Sequence, residues 1–357
     1  MKNNVINVGI VGTGLVGQLA HMPAILKNNR MRLIAVADHN FKRAKILAKR
    51  LNIERVYPGH KELLRDNDVD AVVVAISRDK IFEVVREALK AKKHTFSEKP
   101  MAMSYSNARK LVALAKTKNL VYSVGFMKRY DSGVAKAVET LTYVINSKRL
   151  GRMIHVRAKN FCAEYVGNSS EIKGSQRRDK SSQNKNLSKF PKWLDSKWKN
   201  KYDWLANVGL HSLNLLRYLL KKELVLQHAD LSFKDSCSML FCAGGVPVSF
   251  DIGRAATGKW EESCEIFFER GRLKIDLTSL KQINQCAAVT LDENVNQAKT
   301  SYWGHDTQSP WCFNRQMCAF AEAISQNSEA LLTSGQDCLH DMRLLEEIFL
   351  YAQGSTK

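Results

Sequence analysis

The chain has 357 residues, of which 45% are hydrophobic and 25% charged, and it carries a formal net charge of +20 at pH 7. That length suggests two domains with material for a sizeable core, and the composition excludes a disordered or fibrous chain. No apolar run reaches membrane-span length and the first strand begins within a few residues of Met1, so a cytoplasmic protein without signal peptide or membrane partner is expected. The eight cysteines are scattered without a C-x-x-C pair. A zinc ribbon or thioredoxin-type site is therefore not indicated, no metal is expected, and the cysteines read as reduced, mostly small core residues.

An apolar strand at 5–11 runs into Gly12-Thr13-Gly14-Leu15-Val16-Gly17, where a helix over about 14–28 opens. A second apolar strand at 31–37 ends at Asp38. Helices are predicted over 40–51, 60–66, 79–92 and 104–118, with strands at 70–76, 94–98 and 120–125. The strands at 69–76 and 121–125 read as buried on both faces, and strand–helix alternation argues a parallel, doubly wound sheet. A helix over 131–147 and a strand over 152–162 come next. Residues 165–202 are polar, basic and Ser/Asn-rich, and read as an insertion. A strong helix is predicted over 203–220, then strands through 223–292 with turns at Gly244-Gly245, Gly258 and Gly271, and closing helices over 311–326 and 336–352.

The turn at Gly12–Gly17 has a specific chemistry. Gly12 permits a tight turn, Gly14 lets backbone approach a pyrophosphate, and Gly17 allows close helix–strand packing. The helix N-terminus offers free N–H groups to that anion. Asp38, 21 residues past Gly17, can accept hydrogen bonds from an adenosine ribose. Taken alone, such a turn marks only a tight strand-to-helix connection. With its strand, helix, second strand and acid, it predicts a dinucleotide-binding Rossmann domain over residues 1–126. Residues 127–357 then form an α+β substrate and oligomerisation domain with a large open, mainly antiparallel sheet. The C-terminal helix is a candidate to pack back on the first domain.

Ligands of such sheets bind at the carboxyl ends of the strands. Ala75-Ile76-Ser77 and Ser97-Glu98-Lys99-Pro100 both lie at such ends. A lysine beside a nicotinamide suits proton transfer, because burial and a nearby positive ring lower its pKa. Farther on, Asn207 and His211 stand four apart on the 203–220 helix. A lone histidine on an apolar helix is more often a core residue.

With these features the chain resembles the glucose–fructose oxidoreductase/inositol dehydrogenase (Gfo/Idh/MocA) family. The resemblance rests on Gly12–Gly17 with His21 and Pro23, Ala35-Val36-Ala37-Asp38, and Lys93-His94-Thr95-Phe96-Ser97-Glu98-Lys99-Pro100. It continues through Val124-Gly125-Phe126 with Arg129-Tyr130, then Gly209-x-His211 and the C-terminal helices. It implies an NAD(P)-dependent oxidoreductase moving a hydride between the cofactor and a hydroxyl or keto carbon of a sugar or polyol. Lys99 and His211, with Asn207, inherit the catalytic roles, and Arg129 and Tyr130 join them in substrate binding. Thr13, Leu15, Val16, Ala75, Ser77, Glu98 and Lys99 join the glycines and Asp38 around the cofactor. NAD is favoured over NADP because the Asp38 charge repels a 2′-phosphate, although Lys42 and Arg43 keep NADP open. By the same resemblance the open sheet makes a homodimer or homotetramer. Two alternatives stand beside this reading: an NAD-dependent glycosidase with transient sugar oxidation, and a non-catalytic cofactor-binding sensor.

The chain departs from the family pattern at three places. Asn207 replaces an Asp; its amide can bond a hydroxyl but cannot offset a charge on His211. Tyr202-Asp203-Trp204 replaces a glycine run, and Ser77-Arg78-Asp79 with Ile81 replaces a Thr-Pro-Asn and His. Residues 171–201 hold ten Lys or Arg against three acids, interleaved with Phe190, Trp193 and Trp198. They read either as a solvated loop or as a clamp for a phosphorylated or nucleotide-linked sugar, with Arg177-Arg178-Lys180 and Lys197, Lys199 and Lys201 as candidate clusters. Nucleic acid is the less favoured partner.

Overall fold

Short runs of Val, Ile and Ala, bounded by turn residues, build the first sheet of the computed structural model. It describes residues 5–162, 190–254, 260–279, 282–283, 285–293, 299–303, 311–328 and 331–354. These fall into two units, one from the described residues of 1–126, 167–194 and 313–342, the other from those of 127–166, 195–312 and 343–357.

In the first unit, β1 (Ile6–Val11), β2 (Met31–Ala37), β3 (Arg55–Tyr57), β4 (Ala71–Val74), β5 (His94–Ser97) and β6 (Tyr122–Val124) pair in the order β3-β2-β1-β4-β5-β6. All of these pairings are parallel. This is the doubly wound order of dinucleotide-binding domains, with its crevice at the carboxyl ends. Val8, Ile10, Val72, Val73 and Val74 are wholly buried, each stabilising the unit by about 1.5–3 kcal/mol. β3 was not foreseen. It is three residues long, and it exists through its pairing with β2 and the hold of Arg55 on Asp66, at 2.7 Å.

The helices α1 (Met22–Leu26), α2 (Phe41–Leu51), α3 (His60–Leu64), α4 (Arg78–Lys90) and α5 (Tyr105–Thr117) connect the strands. Side chains cap two of them: Asn40 accepts from the Arg43 amide at 3.0 Å and Ser104 from the Asn107 amide at 3.2 Å. The helix expected over 14–28 is not uniform. Gly17–His21 forms a wider π turn ahead of α1. Pro23 lies two residues beyond it; it has no N–H to give and crowds the preceding turn, which favours such widening.

In the second unit α6 (Ser132–Ser147) starts at Asp131, whose Oδ1 accepts from the amides of Gly133 at 2.8 Å and Val134 at 3.1 Å. After β7 (Met153–Cys162), a helical stretch comprises α7 (Lys199–Trp204), a π turn at Leu205–Gly209 and α8 (Leu210–Leu220). There follow β8 (Val225–Asp230), β9 (Ser236–Ala243), β10 (Val246–Gly253), β11 (Trp260–Phe268), β12 (Gly271–Asp276), β13 (Ala288–Glu293) and β14 (Lys299–Trp303). The sheet order is β14-β13-β12-β11-β7-β10-β9-β8. β7 pairs parallel with β10 and antiparallel with β11, so the sheet is mainly, not wholly, antiparallel. β14 extends beyond the strand region read from the sequence.

The expected insertion requires correction. Arg177, Arg178 and Lys180 lie outside the described residues. The later part is ordered: a 3-10 turn at Ser196–Trp198 leads into α7, which begins before residue 203. Tyr202 is wholly buried with its ring 4.9 Å from that of Phe349, and the Trp198 ring is 6.2 Å from Phe349. Aromatic packing, not nucleic-acid stacking, accounts for these side chains.

The chain returns to the first unit along α9 (Cys312–Gln326), where Phe320 meets Phe96 at 5.8 Å between ring centroids and Gln316 Nε2 donates to the Val124 carbonyl at 3.1 Å. The last helix is α10 (Gly335–Ala352). No helix among the described residues is long and apolar enough to cross a membrane.

Candidate active site

The turn after β1 is tied down on both sides. The Gly12 amide donates to the Ala37 carbonyl at 2.9 Å, and the Ala75 amide to the Val11 carbonyl at 2.8 Å. Gly12 has φ of +102°, and a Cβ there would lie 2.2 Å from the Ala75 carbonyl oxygen. A Cβ on Gly17 would lie 2.5 Å from the Gly12 oxygen. At Gly14 a Cβ would meet nothing within 4 Å. The outer two glycines thus serve the fold, while the middle one borders open space at the start of a helix. Thr13 is buried and Val16 exposed beside it. This cradle fits a pyrophosphate: backbone lines it, no side chain fills it, and N–H groups of the following turn border it.

Asp38 at the end of β2 is more engaged than its sequence position suggests. Its Oδ2 accepts from the Thr13 amide at 2.7 Å, the Thr13 hydroxyl at 2.6 Å and Arg43 Nη2 at 2.7 Å. Its Oδ1 accepts from the Asn40 amide at 2.8 Å, and Arg43 Nε also donates to Thr13 Oγ1 at 3.0 Å. Burial opposes ionisation of Asp38, but the bonds from Thr13, Arg43 and the Asn40 amide outweigh it and hold the carboxyl below its usual range. Asp38 therefore anchors the cradle through Thr13, and Arg43 supplies its counter-charge.

Ala75, Ser77, Glu98 and Lys99 follow β4 and β5 on the same edge of the sheet, with the Glu98 amide donating to the Val74 carbonyl at 2.9 Å. Lys99 is half-buried and precedes a cis peptide to Pro100. Glu98 Oε1 lies 2.8 Å from Nε2 of the wholly buried His21, whose ring meets Phe96 and Phe313 edge-on at 5.2 and 5.6 Å. Burial would raise the Glu98 pKa, yet the His21 bond and the charges of His21 and Lys99 lower it. Glu98 is an ionised carboxylate adjoining Lys99.

In the second unit, Asn207 sits in the π turn and His211 in the first turn of α8, both half-buried. Such turns recur at functional sites, because they re-aim side chains from a helix. Arg129 and Tyr130 lie in a 3-10 turn, Met127–Tyr130, and both are buried. Arg129 Nη2 donates to the Asn214 carbonyl at 3.0 Å, and the guanidinium lies 5.2 Å from the Tyr218 ring. Arg129 is thereby bound to the helix that carries His211. Beside it runs a buried polar chain. Asn160 Nδ2 donates to Ser212 Oγ at 3.0 Å, Ser212 Oγ donates to Glu262 Oε1 at 3.0 Å, and Lys128 Nζ pairs with the same oxygen.

Lys201 is not available as a phosphate ligand. Its Nζ donates to the carbonyls of Leu231 at 2.8 Å and Ser236 at 3.4 Å, and to that of Phe233. The buried thiols of Cys237 and Cys264 stay protonated at neutral pH, burial pushing Cys237 up to about 11 and Cys264 up to about 12.

Residues 6–126 match the model of an oxidoreductase family with an NAD-binding Rossmann fold, Gfo/Idh/MocA. This N-terminal domain belongs to the Gfo/Idh/MocA family. The chain is 33% identical over 168 residues to inositol 2-dehydrogenase/D-chiro-inositol 3-dehydrogenase of Lacticaseibacillus casei, covering 45% of this chain and 48% of that one. It is 29% identical over 134 residues to myo-inositol 2-dehydrogenase of Thermotoga maritima, covering 38% and 40%. The chain thus spans about half the length or less of these curated relatives. Among solved structures, a 3-ketoreductase from Actinomadura kijaniata in complex with NADP and TDP-benzene matches with a TM-score of 0.74 at 20% identity, over 97% of each chain. A probable dehydrogenase from Thermotoga maritima matches with a TM-score of 0.70 at 17% identity, also over 97% of each. At such identities the likeness establishes a shared fold across both units.

The sequence nominated residues that the first unit gathers on one sheet edge: Gly12–Gly17, Asp38, Ala75, Ser77, Glu98 and Lys99. In the second unit it nominated Arg129, Tyr130, Asn207 and His211, found on α8 and the turn bonded to it. Sequence reasoning missed the Thr13–Asp38–Arg43 clamp, the His21–Glu98 pair and the Asn160–Ser212–Glu262–Lys128 chain. His21 was visible only as part of the family motif. For the last chain no signal existed, because its members lie up to 134 residues apart.

Proposed function

We propose that the protein is an NAD(P)-dependent dehydrogenase or reductase acting on a hydroxyl or keto carbon of a sugar or polyol. The observation that carries this is the backbone-lined opening at Gly14, on the strand-end edge that also carries Lys99. The inositol dehydrogenase relatives support the reaction class. The nicotinamide, when bound, supplies the hydride acceptor or donor. Gly14, with the backbone of Thr13, Leu15 and Val16, would hold the pyrophosphate in the turn that Gly12 and Gly17 shape, and Asp38 keeps Thr13 and Arg43 in register. Lys99 would hold or move the hydroxyl proton at Nζ, with the Glu98 side chain on the residue before it. His211 and Asn207 bind substrate hydroxyls and orient the reacting carbon. Arg129 positions α8 through the Asn214 carbonyl, and Tyr130 lies in the same turn.

NAD is the proposed cofactor. Arg43 is already paired with Asp38 and Thr13, so a 2′-phosphate would have to displace a buried carboxylate from its counter-charge. A phosphorylated or nucleotide-linked sugar is the second reading of the substrate, supported by the basic composition of residues 171–201, although Lys201 is withdrawn from it. A homodimer or homotetramer through the open sheet completes the proposal, to be read from light scattering on the purified protein.

The test is a turnover assay with NAD and NADP against inositols, neutral sugars, sugar phosphates and nucleotide sugars. Reduction or oxidation of the cofactor in proportion to product supports the proposal. Product without net NADH formation would replace it by the transient-oxidation glycosidase. Tight NADH binding with no turnover across the panel would leave a sensor.

A further inference from the structure

His21 is wholly buried at the end of the π turn Gly17–His21. Its ring is set edge-on to Phe96 and Phe313, and its Nδ1 has no hydrogen-bond partner among the described residues. Its Nε2 lies 2.8 Å from Glu98 Oε1. An ionised carboxylate has no proton to give, so Nε2 carries the proton and donates it. A phenyl ring would fill this aromatic pocket without burying a polar edge. What the imidazole adds is one N–H aimed at Glu98.

The second Glu98 oxygen serves the lysine. The Lys99 amide donates to Oε2 at 3.3 Å, a long bond whose acceptor is confined on its other side. The carboxylate packs against Gly125, where even a Cβ would come within 3.1 Å of Oε1. The Glu98 amide is fixed to the Val74 carbonyl at 2.9 Å, and the Gly125 amide to the Ser97 carbonyl at 2.8 Å. β5 ends at Ser97, so Lys99 stands past the strand, where the Glu98 side chain supplies a bond to its backbone. At its other end the π turn is bonded to the glycine turn. The Gln18 amide donates to the Gly14 carbonyl at 3.0 Å, and Gln18 Nε2 to the Thr13 carbonyl at 2.7 Å. A run of bonds through Gln18, the π turn, His21 and Glu98 thus joins the cradle at Gly14 to the backbone of Lys99.

We infer that His21 is a positioning residue, which acts through the Glu98 carboxylate to hold the Lys99 backbone in register with the glycine turn. This rests on the dehydrogenase reading, in which Lys99 carries the proton, and names the residues that aim it. Two N–H groups face two acceptor oxygens, so each part can be tested separately. His21→Phe fills the aromatic pocket and removes the donor. His21→Gln loses the ring and keeps an N–H. Glu98→Gln leaves one acceptor oxygen for two N–H groups. A shift of about 1 Å in a group that must meet a reacting atom costs on the order of a hundredfold in rate.

The test reads two quantities on the full chain. One is turnover of whichever inositol, neutral sugar, sugar phosphate or nucleotide sugar the wild type accepts. The other is hydrogen exchange at the Lys99 amide, followed by NMR with isotope-labelled lysine in the absence of cofactor. His21→Phe should lower kcat about ten- to a hundredfold, with KM and NADH affinity within about threefold of wild type. It should also speed exchange at Lys99 about tenfold. His21→Gln should lie closer to wild type than His21→Phe in both measurements. Glu98→Gln, on a partly exposed side chain, serves if His21→Phe fails to fold; it should lower kcat about tenfold and speed the same exchange. A packing role predicts the reverse order, with His21→Phe near wild type and His21→Gln impaired, and that result would overturn the proposal. Unchanged kcat and Lys99 exchange in His21→Phe or Glu98→Gln would do the same and leave the dehydrogenase reading intact. Wild-type protein that turns over none of the compounds would overturn both.

Discussion

Three glycines in one turn should respond to substitution in different ways. Gly12 holds φ of +102°, and a Cβ there sits 2.2 Å from the backbone oxygen of Ala75, an atom fixed by β4. The conformational strain of Gly12→Ala is about 1–3 kcal/mol. The clash adds about 1–3 kcal/mol, since a backbone oxygen cannot swing aside as a side chain can. A loss near 4 kcal/mol corresponds to a drop in Tm of about 10 °C for a unit of this size. Gly14→Val differs, because nothing lies within 4 Å of the new Cβ. Its stability should stay within about 0.5 kcal/mol of wild type. Its cost falls on the ligand: losing charge-assisted backbone contacts to a pyrophosphate, each about 1.5–3 kcal/mol, weakens NADH roughly ten- to a hundredfold. Gly17→Ala should show both effects, since its Cβ would press on the Gly12 oxygen at 2.5 Å. Thermal melts and NADH fluorescence titrations on the same preparations separate the outcomes. Unchanged NADH affinity in Gly14→Val, or a wild-type Tm in Gly12→Ala, would refute the division of roles.

Lys99→Met should leave NADH affinity nearly intact and lower turnover by about two to four orders of magnitude, measured once a substrate is in hand. Turnover within tenfold of wild type would move the proton to another residue. Asp38→Ala should weaken NADH and release Arg43 to pair with a 2′-phosphate, so the preference for NADH over NADPH should fall about tenfold or more in parallel titrations. An unchanged ratio would remove the clamp from cofactor choice. The carboxyls of Asp38 and Glu98 both ionise below their usual values. Their contribution to stability is therefore complete above the unfolded pKa values of about 4 to 4.5, and is lost as pH falls through the folded values. Burial also lowers the His94 pKa, so stability should begin a small decline below about pH 6.5 as the unfolded histidine takes up its proton, and the carboxylates should add a steeper fall below about pH 4.5 that is shallower in Glu98→Gln. An acid limb below about pH 4.5 that is unchanged in Glu98→Gln would contradict this.

What could be read in the chain itself was whatever acts over a few residues. The strand and the glycine turn are local requirements of φ, space and period, and the structure has them in a parallel sheet of order β3-β2-β1-β4-β5-β6. The starts of α2, α5 and α6 lie at Asn40, Ser104 and Asp131 because a side-chain oxygen there can reach an amide two or three residues on. β3 escaped notice because three residues have no period; its pairing with β2 makes it a strand. Lys201 read as one more solvated charge until folding brought three carbonyls to its ammonium. His21 and Glu98 are 77 residues apart, and Asn160 and Ser212 are 52 apart. Residue types state which atoms can donate and which can accept. Which of them meet, and which are left open in the interior, depends on strand pairings and helix packing between distant segments, and only the tertiary structure decides that.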